Sequence, residues 1–415
     1  MVTSPWRTWL VSSVLGPSEA SYAAYLQQHG YSPAIVDAYL HAIGHFAHWV
    51  THEGLRLGDL DESVVRRFVA SHLPKCHCPG RCQRTAVLVH AASRRLLDVL
   101  RADGRIPARH DGLSPAIHDE LERFTAYLDH VCGLAVSTRA HRRWWMAQFL
   151  TDQFDQGPIA VSRLTPRDIA VYLKAHGAAY TPSTARDRSC ALRSYLRFRA
   201  TQYDDRVDAL IAAIPTVASW RLASLPSHLT LDETARFLNA FDRCSATGRR
   251  GYAMARCMLD LGLRVGEVAA LQLDDVNWRE GTIRIGAGKS RRVDVLPLPV
   301  LTGRALAAYL RHDRPPTTSR ALFVRDRAPL DAPVTTEIVR HAMETAFVRC
   351  GLGTRFTGTH VLRRTAATRM RMAGASLKQI ADLLRHRSLD TTTIYTKIDR
   401  PQLATMAAPW PGGVA

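Results

Sequence analysis

Apolar positions recur at helical spacing through most of the chain and give way to strict alternation only around residues 283–295. Two stretches about one hundred residues apart carry the same pattern, SYAAYLQQHG…LRLGDLDESVVRRFVASHL near 21–73 and RFTAYLDHVCG…AVSRLTPRDIAVYLKAHG near 123–177. In each, an amphipathic run ending in Ala-Tyr-Leu (Ala24 to Leu26, Ala126 to Leu128) precedes an aromatic-rich run (Phe46, Trp49; Trp144, Trp145, Phe149) and then a Ser/Thr/Asp helix start. Both stretches predict all-helical units. The likeness fits a duplication and equally fits two small bundles that share apolar spacing. The second unit ends in TPSTARDRSCALRSYLRFRATQ, where Ser183 or Thr184 is expected to cap a helix with Leu192, Tyr195 and Leu196 facing inward. Arg186, Arg193 and Arg197 then project together, as a phosphate-contacting face or as an ordinary solvated one. Residues 214–226, with two prolines and no period, read as a linker.

From His228 the pattern changes. Thr230 or Asp232 starts a helix, and Met254, Cys257, Met258 and Leu261 then mark a core helix that Gly262 interrupts. A turn over 277–281, alternation at Ile283 and Ile285, a GAGKS turn and alternation at Val293 and Val295 predict a small antiparallel sheet. Helices are expected near 301–311, 334–350, 359–373 and 376–384. The fold class is therefore mainly α with a small antiparallel β-sheet. Its divisions are a helical module over 1–110, a second over 111–218, an α+β domain over 226–400 and a tail over 401–415.

Length and composition narrow the function. A chain of 415 residues, 46% hydrophobic and 22% charged, implies several globular cores and excludes a mainly disordered, collagen-like or disulfide-framework protein. No apolar run reaches the roughly 18 residues of a membrane span, and the opening stretch behind Arg7 makes no secretory leader, so the expected location is the cytoplasm. The formal charge is +18, and only five of the 55 cationic residues are lysines. Compositional bias toward Arg and Ala accounts for much of that ratio but not for the net charge, of which residues 226–400 hold +12. Such an excess points to a polyanion, most simply nucleic acid, although an anionic membrane surface would also attract it.

Eight cysteines in a cytoplasmic chain are not expected to pair as disulfides. Cys76, Cys78 and Cys82 cluster in LPKCHCPGRCQR with His72, His77 and His90 nearby, a set able to hold a structural zinc ion. The C-x-C-x₃-C spacing lacks the C-x₂-C hairpin, however, so a reduced thiol-containing loop ranks ahead and no metal is assigned.

Four segments of the last domain carry chemistry. In GLRVGEVAAL, Arg264 follows Gly262, and Glu267 stands three positions on, within reach to orient a cation. The GAGKS turn presents Lys289. In FTGTHVLRRTAATRM, His360 and Arg363 share the first turn of a helix capped by Thr357 or Thr359, so both side chains and the positive helix end can face one anion. LLRHRSLDTTTIYTKID places His386 nine residues before Tyr395. Singly, each is an ordinary helix surface or core. In this order over about 130 residues, they resemble the tyrosine recombinase or phage integrase superfamily of site-specific DNA recombinases. One departure is Leu384-Arg385-His386, where the family commonly has L-G-H: the turn is altered there, or Arg385 adds a phosphate contact.

The resemblance implies a tyrosine recombinase catalytic domain behind two all-helical SAM-like DNA-binding modules, with residues about 114–200 as the core-binding domain and 1–108 outside the minimal pattern. It implies Tyr395 as nucleophile on a DNA phosphodiester, giving a 3′-phosphotyrosyl intermediate. Arg264, Arg363 and His386 would stabilise the phosphate, His360 would take the tyrosine proton, and Lys289 would donate to the leaving 5′-oxygen. No cofactor and no metal is needed. Expected DNA contacts are Arg142, Arg143, Arg186, Arg193 and Arg197. The expected partner is double-stranded DNA with paired recognition sites, bound by a homotetramer on two duplexes or jointly with related recombinases, in the nucleoid and not on a membrane. Integration or transposition of a mobile element is the first reading of the role. Resolution of chromosome or plasmid dimers, a type IB topoisomerase and a non-catalytic DNA-binding regulator are the alternatives.

Overall fold

Helix after helix begins where a hydroxyl can accept from the N–H groups that the first turn leaves unpaired. Ser114, Thr181, Thr230, Ser245, Thr335 and Ser376 each accept at an N-cap. These come from a computed structural model that describes residues 5–80, 82–108, 112–155, 157–177, 180–203, 207–216, 227–286 and 293–385. Thr181, rather than Ser183 or Thr184, caps the Pro182–Gln202 helix, because Pro182 fixes the first helical φ and fills the N1 position that needs no N–H. Thr230 caps Leu231–Asn239 with a reciprocal bond from its own N–H to Glu233.

The chain forms two compact units, Met1–Pro107 with Ser224–Ala415, and Ala108–Ala223. In the first unit, the N-terminal helices Glu19–Gln28, Pro33–His52, Glu62–Arg67 and Ala86–Ala102 enclose Tyr22, Phe46, Trp49, Phe68 and Leu96. The Tyr22 hydroxyl donates to the Ala92 carbonyl at 2.9 Å inside this core. Ala108–Ala223 repeats the same order of elements: helices Pro115–His130 and Val136–Phe154, one 3₁₀ turn at Val161–Arg163, and helices Pro166–Gly177 and Pro182–Gln202. In the first module the matching 3₁₀ turn is Leu57–Asp59.

The second unit also buries charge. Glu120 accepts from the Tyr195 hydroxyl at 2.8 Å and from Arg199 at 2.9 Å, among Phe124, Phe149 and Phe198. Burial works to raise the Glu120 pKa, but these donors and Arg123 outweigh it and hold the carboxyl below its usual range. Arg188 lies fully inside, 3.8 Å from the Tyr172 ring centre and bonded to the Tyr172 carbonyl at 2.9 Å.

The remaining core gathers around the Ala246–Asp260 helix, whose Met254, Cys257 and Met258 are buried as the spacing predicts. Against it pack helices Val300–His312, Thr336–Arg349 and His360–Met372, with Leu377–Leu383 behind the last. The sheet is three antiparallel strands in the order β1 (Val276–Asn277), β2 (Thr282–Ile285) and β3 (Asp294–Pro297). Its last strand runs in the opposite phase to the expected one. Val293 and Val295 are exposed, and Leu296 is the buried residue, because it pairs directly with buried Ile283 and must share its face.

Within the first unit the Leu330 N–H donates to the His29 carbonyl at 2.9 Å. Gly30 permits that approach: it sits at φ +74°, and a Cβ there would come within 2.5 Å of the Leu330 side chain. Among the described residues no helix is long and apolar enough to cross a membrane.

Candidate active site

Three chain segments that meet at the N-terminal end of the His360–Met372 helix build the site. The first leaves the core helix through Gly262, at φ +61°, where a Cβ would fall 2.3 Å from a Leu384 methyl carbon; only glycine fits both the left-handed turn and the contact. Arg264 follows as the N-cap of the short Val265–Ala270 helix. Its backbone N–H donates to Glu267 Oε2 and its guanidinium Nη1 to Glu267 Oε1, both at 2.7 Å.

Glu267 holds a second cation. Arg385 Nη2 donates to Glu267 Oε2 at 2.7 Å, and Arg385 Nη1 donates to the Leu383 carbonyl at 3.0 Å. Arg385 adopts φ +55° and its side chain is 1% exposed. The left-handed turn therefore persists with an arginine in it, at a backbone cost of roughly 1 kcal/mol, and the guanidinium is committed to Glu267 rather than offered to a phosphate. Burial works to raise the Glu267 pKa; Arg385 and Arg264 outweigh it, so the carboxyl lies below the ordinary carboxylate range and stays ionised.

Arg363 closes the arrangement. Its Nη1 donates to the Gly262 carbonyl at 2.5 Å and its Nη2 to the Leu384 carbonyl, so one buried guanidinium ties the first segment to the third. His360 opens the same helix behind Thr359, which stands at the N-cap without a side-chain bond to the helix. Arg264, His360 and Arg363 line one cavity of about 770 Å³, with Glu267 in its wall. Three of the six expected catalytic side chains are thereby brought together. Lys289, His386 and Tyr395 lie outside the described residues.

Arg284 and Arg340 also line this cavity and were not singled out by sequence. Arg284 pairs with Asp275 at 2.8 Å and Arg340 with Glu337 at 2.6 Å. Arg284 was legible in part, since strand alternation between Ile283 and Ile285 turns it away from the core; nothing local marked Arg340.

The expected DNA contacts fare differently from one another. Arg193 donates to the Ile214 and Pro215 carbonyls at 2.8 and 3.1 Å, Arg142 to the Ser194 hydroxyl at 2.5 Å, and Arg143 pairs with Glu122 at 3.4 Å. These three guanidiniums join parts of their own helical unit, because carbonyls, a hydroxyl and a carboxylate lie within reach. Arg186 is half-buried and Arg197 exposed on the Pro182–Gln202 helix.

The sequence model of the phage integrase family matches residues 227–401, the segment that contains this cavity. "Putative integrase/recombinase y4rA" of Sinorhizobium fredii (strain NBRC 101917 / NGR234) is 32% identical over 94% of this chain and 93% of its own length. The chain belongs to the tyrosine recombinase family. Another tyrosine recombinase, XerA of Thermococcus onnurineus, is 29% identical over 68% of this chain and 92% of its own length. Among solved structures, XerH recombinase bound to palindromic difH substrate in a post-cleavage complex shares the fold, with TM-score 0.54 and 18% identity over 90% of this chain and 96% of that one. A lambda integrase (75–356) dimer bound to a COC′ core site does so with TM-score 0.53 and 18% identity over 68% and 95%. As a tyrosine recombinase, the protein is a DNA-cleaving and rejoining enzyme.

Proposed function

We propose that this recombinase cuts and rejoins DNA through Tyr395 without a metal ion. The Tyr395 oxygen attacks a phosphodiester in line and forms a 3′-phosphotyrosyl bond as the bond to the 5′-oxygen breaks. The tyrosine proton passes to His360, and Lys289 gives a proton to the leaving 5′-oxygen. Arg264, Arg363 and His386 hold the non-bridging oxygens while charge develops on them. A 5′-hydroxyl of a second duplex then attacks the phosphotyrosine and reverses the exchange, so the bond energy is kept and no nucleotide is consumed.

The observation that carries this reading is the convergence of Arg264, His360 and Arg363 on one cavity at a helix start, with Glu267 fixing Arg264 from behind. Fixed cations there would do the work that divalent ions do in other phosphoryl-transfer sites. Cleavage of a suicide DNA substrate, started by adding DNA together with EDTA and without Mg²⁺, is therefore expected at the same rate as with Mg²⁺ present. A rate that collapses in EDTA and returns with Mg²⁺ would rule out the metal-free mechanism.

Integration or transposition of a mobile element is the proposed role, acting on the nucleoid in the cytoplasm. Similarity to the integrase/recombinase of S. fredii runs through the first helical module, whereas similarity to XerA spans 68% of this chain. Inverted repeats flanking the gene, beside further recombinase genes, are the expected setting; a solitary gene acting at one chromosomal site would turn the reading toward dimer resolution. Arg186 and Arg197 are the arginines proposed to touch phosphate from the second helical unit.

Strand exchange between two duplexes requires four cleavages, and each protomer supplies one Tyr395, so the working assembly is proposed to be four protomers on paired sites. The segment 401–415, outside the described residues, carries the apolar residues Leu403, Met406 and Trp410. Docking of these apolar residues on a neighbouring protomer would couple the sites. Deleting 401–415 is then expected to leave binding to a single site within about twofold while two-duplex complexes fall at least about tenfold in a gel assay. Undiminished synapsis in the truncated protein would remove the tail from the assembly.

A further inference from the structure

The N-terminal module contains a cluster that the recombination chemistry does not use. His45 projects from the middle of the Pro33–His52 helix into the core and is completely buried, an expensive place for an imidazole unless both ring nitrogens are engaged. Its Nδ1 faces the Gln83 carbonyl at 2.8 Å, which fixes the proton there and leaves the Nε2 lone pair pointing away. That lone pair meets three other donor atoms. His72 Nε2 lies 3.3 Å from it and Cys76 Sγ also 3.3 Å, while Cys78 Sγ lies 3.4 Å from His72 Nε2. All four atoms fall within 4.8 Å of one another.

We propose that His45, His72, Cys76 and Cys78 form a structural zinc site that fastens the connection over residues 73–85 to the Pro33–His52 helix. Zinc bonds of about 2.3 Å to sulfur and about 2.05 Å to nitrogen, set tetrahedrally, require N···N near 3.3 Å and S···N near 3.5 Å. The one N···N and two S···N separations given above match those edges to about 0.2 Å. Two thiolates and two imidazoles are a donor set that selects zinc among the common divalent ions, and four protein ligands leave no open position, so the ion would be structural. On binding, each thiol releases its proton to solvent. The contact of His45 Nδ1 with the Gln83 carbonyl is the outer bond that orients a metal-bound imidazole, and the Cys78 N–H lies 3.5 Å from Cys76 Sγ, placed to support a thiolate. His72 is held in place by stacking on Phe68, ring centres 5.1 Å apart.

The two helical modules show what the ion would be for. They share their order of elements, yet residues 178–181 suffice to join the last two helices of the second module, whereas residues 73–85 join those of the first. In that longer connection only Leu73 and Cys76 are buried among the described residues, too little apolar surface to hold it in one conformation. The ligand set also differs from the one suggested by sequence proximity. His77 and His90 are exposed and outside the cluster, and the Cys82 thiol turns to the Cys78 and Pro79 carbonyls.

The test is metal analysis of the full-length protein purified under reducing conditions. About one equivalent of zinc per chain is expected, and Co²⁺ added to the metal-stripped protein should give the intense d–d bands of a tetrahedral site with charge-transfer absorption from two thiolates. Cys82→Ser and His77→Ala should retain both signals, and Cys78→Ser should lower bound zinc at least about tenfold. The parent protein decides even if Cys78→Ser fails to fold. Absence of stoichiometric zinc together with absence of a tetrahedral cobalt spectrum would leave only hydrogen-bonded thiols and imidazoles and overturn the site, and loss of metal in Cys82→Ser would overturn this ligand set. None of these readouts depends on DNA cleavage.

Discussion

Tyr395→Phe is expected to bind its DNA sites as tightly as the parent protein and to form no covalent adduct with a suicide substrate. The change removes one oxygen and no charge, so the attraction of a +18 chain for DNA is untouched. The phosphorus, in contrast, loses the atom proposed to attack it. Removing a nucleophile from a covalent mechanism lowers turnover on the order of 10⁶-fold, because the arginines proposed to stabilise the transition state have no reaction left to assist. The measurement is a denaturing gel of protein crosslinked to labelled DNA, run beside an equilibrium binding assay. An adduct that persists in Tyr395→Phe would move the nucleophile elsewhere; an adduct lost together with binding would mean that Tyr395 serves affinity.

What was legible in the sequence was local. The H-x-x-R spacing of His360 and Arg363 places both on one turn of one helix whatever surrounds it, and the three-residue step from Arg264 to Glu267 is a capping distance. Contacts that close over long separations were not. Arg385 reaches Glu267 across 118 positions, and the sequence offered only a choice between a changed turn and a phosphate contact. The structure keeps the turn and spends the guanidinium inside. His45 was missed for the same reason: it stands 31 positions before Cys76 in a stretch noted only for its aromatic residues, while His77 and His90 drew notice only by nearness. Arg142, Arg143 and Arg193 show the converse limit, since a helical face can be read from sequence but the hydroxyl, carbonyl and carboxylate that engage these guanidiniums cannot.

Glu267→Gln should destabilise the protein severely and slow cleavage, although the side chain is proposed to touch no DNA. The substitution keeps shape and one acceptor but removes the charge that faces Arg385, whose side chain is 1% exposed and has no water to replace it. Removing one partner of such a buried pair costs about 3–5 kcal/mol, read as a lowered denaturation midpoint. Arg264, the proposed phosphate ligand, loses its anchor at the same time, and a misplacement of this kind lowers kcat by about 10²-fold. Glu267→Gln combined with Arg385→Met removes both buried charges at similar volume and should recover much of the stability without recovering kcat, which separates folding from the positioning of Arg264. The acid limb provides an independent check. Because the Glu267 carboxyl is held below the unfolded value of about 4.3, its contribution is full above that pH and disappears as pH falls through the lower folded value. The stability gap between parent and Glu267→Gln should therefore narrow on acidification below about pH 4. A gap that stays constant across that range would mean that the carboxylate charge is not what holds Arg264 and Arg385 together.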